Sequence, residues 1–333
     1  MDRAELSIVC QQLGQPAFRG AQIARWLYDK GVRDFASMTN LPSGLREEIA
    51  RSHSIFRCEV SAKARSADNA TKYLLKLADA QTIESVLLPY PDRTSVCVST
   101  QIGCPAGCVF CATAMCGFVR NLSAGEIADQ VLTLQQDGGQ RISHVVMMGM
   151  GEPLLNFDNV IKALHLLNDE IGIGMRRMTI SSVGISPAID KLRDLDLQIT
   201  LAISLHAPED NLRQKLVPVS RKYPLDELMR SCTDYTNHTR RRITFEYLLL
   251  AGVNDSVEQA LALAELLRGS LCNVNLIPYN EVQGLDYKRP TRDAISAFRN
   301  VLQESGIEVT QRMERGHSIS AACGQLRRRH ISD

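Results

Sequence analysis

Cys104, Cys108 and Cys111 stand at C-x3-C-x2-C spacing within one short segment. Three thiolates are too few for a structural zinc, which takes four ligands and commonly draws them from two paired-cysteine knuckles. On a four-iron, four-sulfur cubane, three cysteines leave one iron open. A molecule that chelates this iron can receive an electron directly, whereas an electron-transfer ferredoxin closes all four irons with cysteine. Gly103 and Gly107 let the backbone turn tightly around such a cluster, and Phe110, between two ligands, shields it from water.

Other polar groups gather where apolar segments end. Val145 to Pro153 reads as a strand running into a glycine-rich turn that carries Glu152, and its glycines lack the dinucleotide-binding spacing. Arg177 to Ser182 ends in hydroxyls, Ser204-Leu205-His206 closes the following strand, and Asn280 follows a third. Cys323 lies in a small-residue loop, Ala321 to Leu326, where a structural turn and a nucleophile are equally open readings. In isolation Cys97 reads as a buried core cysteine and Glu84 as an exposed strand glutamate. Cys10, Cys58, Cys116, Cys232 and Cys272 fit no motif and read as structural.

The elements that must hold these groups follow from periodicity. Apolar residues at helical spacing (Leu6, Val9, Leu13; Ile23, Trp26, Leu27; Leu41, Leu45, Ile49) predict a small helical region over 1–58. From Thr71 branched residues predict strands at 72–77, 83–88 and 94–99, the first two forming a β-hairpin extension within 59–92. Beyond the cysteines, strands at 144–148, 177–182, 198–205, 242–250, 273–277 and 308–312 alternate with helices near 123–137, 157–170, 186–194, 224–237, 256–269 and 291–304. About six such repeats predict an α/β fold, a partial (β/α)6 TIM-like barrel over 93–333, with the cysteine loop at its C-terminal face. Ser123 and Glu126 have capping-box spacing for the first barrel helix.

At 333 residues, with 44% hydrophobic and 23% charged residues and a net charge of +1, the chain has an ordinary soluble composition and no apolar run of the ~20 residues that a membrane span needs. The start lacks a secretory pattern, so a cytoplasmic chain with its cysteines as thiols or metal ligands is expected. Basic clusters at Arg240 to Arg242 and Arg327 to His330 read as a solvated face and a tail.

The three-cysteine spacing resembles the signature of radical S-adenosylmethionine enzymes. Taken with Met147 to Asn156 and Ala321 to Leu326, nearly the whole chain resembles the RlmN/Cfr family of RNA methyltransferases. The resemblance implies a [4Fe-4S] cluster on Cys104, Cys108 and Cys111 that cleaves S-adenosylmethionine. It also implies a cofactor site of Gly151 and Glu152 at the amino group, with Ser181, Ser204, Leu205, His206 and Asn280. Cys323 would take a methyl group by displacement. A 5′-deoxyadenosyl radical would then remove hydrogen from that methyl, and the carbon radical would add to C2 of an adenine, a carbon with no lone pair for polar methylation. Cys97 is implied as the thiol that frees the product through a transient disulfide with Cys323, and Glu84 as the proton acceptor.

The substrates implied are an adenosine of the 23S rRNA peptidyl-transferase centre and adenosine 37 of tRNAs. A flavodoxin- or ferredoxin-type electron donor is implied, with no membrane, and the chain is expected to be a monomer. Arg19, Arg25, Lys30 and Arg33 on the N-terminal helices would serve RNA docking. His317-Ser318-Ile319-Ser320 departs from the acidic residues that the family carries before the loop cysteine. Two other readings stand beside this one: a Cfr-type enzyme acting at C8, against which Gly151 to Asn156 speaks, and a non-catalytic RNA-binding protein with a structural cluster.

Overall fold

The computed structural model describes residues 1–312, 315–316, 319–322 and 324–326 of the chain. Its first elements are three helices, α1 (Arg3–Gln12), α2 (Phe18–Tyr28) and α3 (Ser43–Ser52). A capping box opens α1: the Glu5 N–H donates to the Asp2 carboxylate at 2.8 Å and the Asp2 N–H to Glu5 at 2.9 Å. The apolar stripes close on a core of their own, with Leu6, Ile23, Met38, Leu41, Leu45 and Ile49 buried in it. A buried ion pair, Arg57 to Asp129 at 2.7 Å, ties the end of this region to the first barrel helix.

Strands β1 (Glu59–Arg65), β2 (Thr71–Lys76), β3 (Thr82–Pro89) and β4 (Thr94–Cys97) pair antiparallel in sequence order. A separate two-stranded ladder of β5 (Gln101–Gly103) and β6 (Phe118–Asn121) then brackets the cysteines and the short helix α4 (Ala112–Met115). The alternation follows: α5 (Ala124–Gly138), β7 (His144–Met147), α6 (Phe157–His165), β8 (Met178–Ser182), α7 (Ser186–Asp194) and β9 (Thr200–Ser204). Two helices, α8 (Asp210–Leu216) and α9 (Leu225–Thr239), lead to β10 (Ile243–Leu249); α10 (Val257–Leu266), β11 (Cys272–Pro278), α11 (Arg292–Glu304) and β12 (Val309–Gln311) complete it.

One ten-stranded sheet runs β1-β2-β3-β4-β7-β8-β9-β10-β11-β12, and every pairing from β4 to β12 is parallel. The sheet is open because no described strand joins β12 to β1. This is the expected α/β partial barrel: the six strands expected after the cysteines, 308–312 included, follow β4 in one parallel run. Its extension differs from the expected hairpin. It is a three-stranded meander continuous with the barrel sheet, and β1 escapes sequence detection because six of its seven residues are exposed and leave no alternation. The helix expected over 157–170 is α-helical to His165 and then widens into a π turn, Leu166–Glu170. Among the described residues no helix is long and apolar enough to cross a membrane.

Candidate active site

The cysteine loop is fixed by backbone contacts on all sides. Cys104 N–H donates to Gly117 O at 3.0 Å across the β5–β6 ladder, Val109 N–H to Leu216 O at 3.1 Å, and Ala112 N–H to Gly324 O at 2.8 Å. Gly103 lies at φ +75°, and a Cβ there would sit 1.7 Å from Gly117 O, so only glycine fits. Cys104, Cys108 and Cys111 all line one cavity. Burial pushes the Cys104 thiol up to about 12 and the Cys108 thiol well above its ordinary value. No three acidic, histidine or cysteine side chains converge on a single-ion site among the described residues. The three thiols share one cavity, where they could serve as ligands to separate corners of a cubane.

Gly151, Glu152, Ser181, Ser204 and His206, from the ends of β7, β8 and β9, line the same cavity. Glu152 is buried, and its two carboxylate oxygens accept the Leu154 N–H at 2.9 Å and the Val183 N–H at 2.8 Å, joining the β7 turn to β8. Burial outweighs these donors and lifts its pKa to about 7. His206 sits in the left-handed region at φ 63°. Its Nδ1 accepts the Leu248 N–H at 3.0 Å, which leaves the neutral ring's proton on Nε2. Burial and the Arg213 guanidinium hold the pKa of His206 down at about 3.

Two buried side chains that the sequence did not single out fix these strand ends. Arg213 donates to Val183 O at 2.6 Å and to Leu205 O at 3.3 Å, clamping the ends of β8 and β9. Asn254 donates to His206 O at 2.8 Å and Leu248 O at 2.7 Å and accepts the Leu250 N–H at 2.7 Å, so one amide sets the His206 conformation. Leu205 itself is buried in the core and does not line the cavity. Glu246 does line it, a lone charge in the apolar strand β10; Asn275 donates to it at 2.8 Å, and burial raises its pKa. That isolated acid was the signal available in the sequence.

A second cavity adjoins the first and shares Met148, Ile277 and Arg312 with it. Cys97 and Asn280 line this second space. Asn280 is 3% exposed, and its Oδ1 is buried without a hydrogen-bond partner among the described residues. Registers Lys72↔Val86 and Val86↔Cys97 put Lys72, Val86 and Cys97 in one row, and Glu84, two residues before Val86, on the same face. Glu84 is therefore not an exposed strand residue: it is 1% exposed and pairs with Lys72 at 3.2 Å.

Cys323 lies outside the described residues, as do His317, Ser318 and Arg327 to His330. Its neighbours divide between the cavities, Ala322 lining the second and Gly324 the first. No two of the described cysteines are joined by a disulfide. On the helical region, Arg25 pairs with Asp29 at 3.6 Å, Arg19 donates to Gln22 at 2.8 Å and Lys30 lies 3.7 Å from the Trp26 ring centre, so three of the four basic residues have local partners.

Residues 98–264 match the model of the radical SAM superfamily, and residues 1–55 match the ribosomal RNA large subunit methyltransferase N-terminal domain. A protein of Gloeobacter violaceus named "Probable dual-specificity RNA methyltransferase RlmN" is 49% identical over 98% of this chain and 94% of its own length. The chain belongs to the RlmN family. A Nostoc punctiforme protein of the same name is 52% identical over 97% of the chain and 91% of its own length. The crystal structure of a radical SAM methyltransferase from Sphaerobacter thermophilus superposes with a TM-score of 0.94 at 44% identity, covering 98% of this chain and 97% of that one. This RlmN-family chain is thus a radical SAM enzyme, and its family implies a [4Fe-4S] cluster and S-adenosylmethionine as its cofactors.

Proposed function

We propose that the chain methylates C2 of an adenosine in 23S rRNA, and of adenosine 37 in tRNAs, through an S-methylcysteine at Cys323. The observation that carries this reading is the adjacency of the two cavities: one holds Cys104, Cys108, Cys111 and the β7–β9 strand ends, the other holds Cys97, and the flanks of Cys323 line both.

Cys104, Cys108 and Cys111 hold the cluster. Gly151 and Glu152 receive the cofactor's amino group, where an ammonium meets a buried carboxylate; Ser181, Ser204 and His206 offer it polar atoms, and Asn280 does so from the adjoining cavity. Leu205 contributes through its backbone, which couples β9 to Glu246 at 3.0 Å. Together the cluster and S-adenosylmethionine supply a 5′-deoxyadenosyl radical. Cys323 attacks the methyl carbon of a first cofactor molecule: a sulfur–carbon bond forms at Cys323, the sulfonium bond breaks, and S-adenosylhomocysteine leaves. Glu84 accepts the proton lost from C2. Cys97 attacks the Cys323 sulfur as the bond from that sulfur to the methylene carbon breaks, and the departing carbon keeps the electron pair and takes up a proton to become the methyl group; the unpaired electron of the adduct would return to the cluster, and the Cys97–Cys323 disulfide left behind needs a thiol reductant to reopen. The apolar walls around the thiols, among them Phe110, Met147 and Ile277, keep water from the reacting carbon.

The helical region over 1–58 docks RNA in this reading, the barrel over 93–333 carries the chemistry, and a flavodoxin or ferredoxin gives the electron in the cytoplasm to a monomeric enzyme. An anaerobic reaction of the reconstituted chain with rRNA and tRNA, followed by nucleoside analysis, tests it. The expected product is 2-methyladenosine. Appearance of 8-methyladenosine instead would establish the Cfr-type reaction, and a cluster spectrum indifferent to S-adenosylmethionine, with no methylated nucleoside, would leave a non-catalytic RNA-binding protein.

A further inference from the structure

We infer that Lys72 is a positioning residue of this reaction, its single ammonium holding the Glu84 carboxylate and the Cys323 loop in fixed relation; the inference rests on the function proposed above. Two contacts carry it. Lys72 Nζ lies 3.2 Å from Glu84 Oε1 and donates to Ser320 O, three residues before Cys323, at 3.1 Å. Both side chains are withdrawn from water, Lys72 at 9% and Glu84 at 1% exposure.

Lysine is rarely buried this far without a specific partner, because its compact ammonium is strongly hydrated. The same strand shows the ordinary case: Lys76, on the same face of β2, is 37% exposed and only 3.8 Å from an exposed Glu59. Burial of a carboxylate is tolerated when a cation and hydrogen bonds accompany it. Lys72 supplies that cation on the face of the sheet where Cys97 also lies, one strand beyond Val86.

The loop end of the contact is equally specific. Ser320 stands at φ 51°, a left-handed conformation that a residue with a Cβ rarely adopts, so its carbonyl direction is set by its surroundings. Other tethers hold the loop outside this point: Gly316 N–H donates to Asp68 at 3.0 Å, and Gln325 donates to Glu281 O at 3.0 Å. Lys72 differs from these in joining the loop to the acid assigned to the C2 proton. It forms and breaks no bond itself.

Lys72→Gln and Lys72→Arg in the full-length, cluster-bearing chain test the role through three readouts: methyl mass on the Cys323 peptide, protein covalently attached to RNA, and turnover to methyladenosine. The glutamine retains a donor for Ser320 O and removes the charge. Its Cys323 methylation should stay near the wild-type level while turnover falls at least about tenfold and the RNA adduct accumulates, the size expected for a misplaced proton acceptor. Arginine keeps a cation in place and should restore turnover to within about threefold, with no adduct. Lys72→Gln turning over like the wild type overturns the inference. So does a parallel loss of methylation and turnover in either variant, which would make Lys72 only a loop tether. If Lys72→Gln does not fold, an adduct that accumulates in Lys72→Arg with methylation intact refutes the role of the charge. A wild-type chain that methylates neither Cys323 nor RNA would refute the proposed function itself, a result distinct from any variant effect.

Discussion

Phe110 and His206 meet edge to face, with ring centroids 5.0 Å apart and ring planes at 87°. Phe110 lies between two of the loop cysteines and His206 at the end of β9, so the contact joins the thiol loop to the strand ends that line the same cavity. Such aromatic pairs contribute about 1 kcal/mol beyond their burial.

This placement makes acid stability a property of His206. Burial, and after it the Arg213 guanidinium, holds its folded pKa at about 3 against an ordinary 6.5, so between these values the unfolded chain binds more protons than the folded one. Stability therefore rises with pH through this window and falls on acidification. Wild-type protein should lose about 1.4 kcal/mol more than His206→Gln for each pH unit between 6 and 4, measured by urea unfolding. Equal slopes for the two proteins would contradict the buried neutral ring.

The two loop glycines should respond differently to alanine. At Gly103 the added Cβ would collide with Gly117 O at 1.7 Å, whereas at Gly107, φ +72°, the nearest atoms are 3.8 Å away and only the backbone conformation objects. Gly107→Ala should cost about 1 kcal/mol and still bind iron. Gly103→Ala must displace the β5–β6 ladder, and its bound iron per chain, read by absorbance and metal analysis, should fall below half of wild type at about 2 kcal/mol or more of destabilisation.

Cys97→Ala should retain methylated Cys323 and stop after one covalent event. Denaturing gels of the reaction would then show protein shifted by attached RNA, with turnover reduced by about a hundredfold or more. Multiple turnovers at the wild-type rate would remove Cys97 from the release step.

Asp68 anchors the C-terminal loop from the meander, accepting the Gly316 N–H at 3.0 Å and lying 3.5 Å from the Arg315 guanidinium, which also stacks 4.7 Å from the centre of the Tyr90 ring. Asp68→Ala should speed limited proteolysis between residues 312 and 326 several-fold while changing global stability by only about 1 kcal/mol, because the pair is partly exposed. Unchanged cleavage kinetics would show that other contacts suffice to hold the segment.

Local chemistry was what the sequence itself determined. Three cysteines within eight residues carry their meaning in their spacing, and helices such as α5, α7 and α11 have periodic apolar faces and, at Ser123, a capping box. The alternation of strands and helices likewise declares a parallel α/β sheet, since each parallel pairing needs a crossover. Where the pattern is absent the sequence is mute: β1 exposes nearly every side chain and has no period to detect.

Only the tertiary structure decided which distant residues share a face or a cavity. Lys72, Glu84 and Cys97 come from three strands, and a register shifted by one residue would have turned any of them to the other side of the sheet. Asn254 reaches His206 and Arg312 joins the rims of two cavities across separations that no local pattern encodes. The thiol loop could be recognised from eight residues because its geometry is set by neighbours in the chain, whereas the surroundings of Glu84 and His206 are set by packing between elements and exist only once the strands have paired and the elements have packed together.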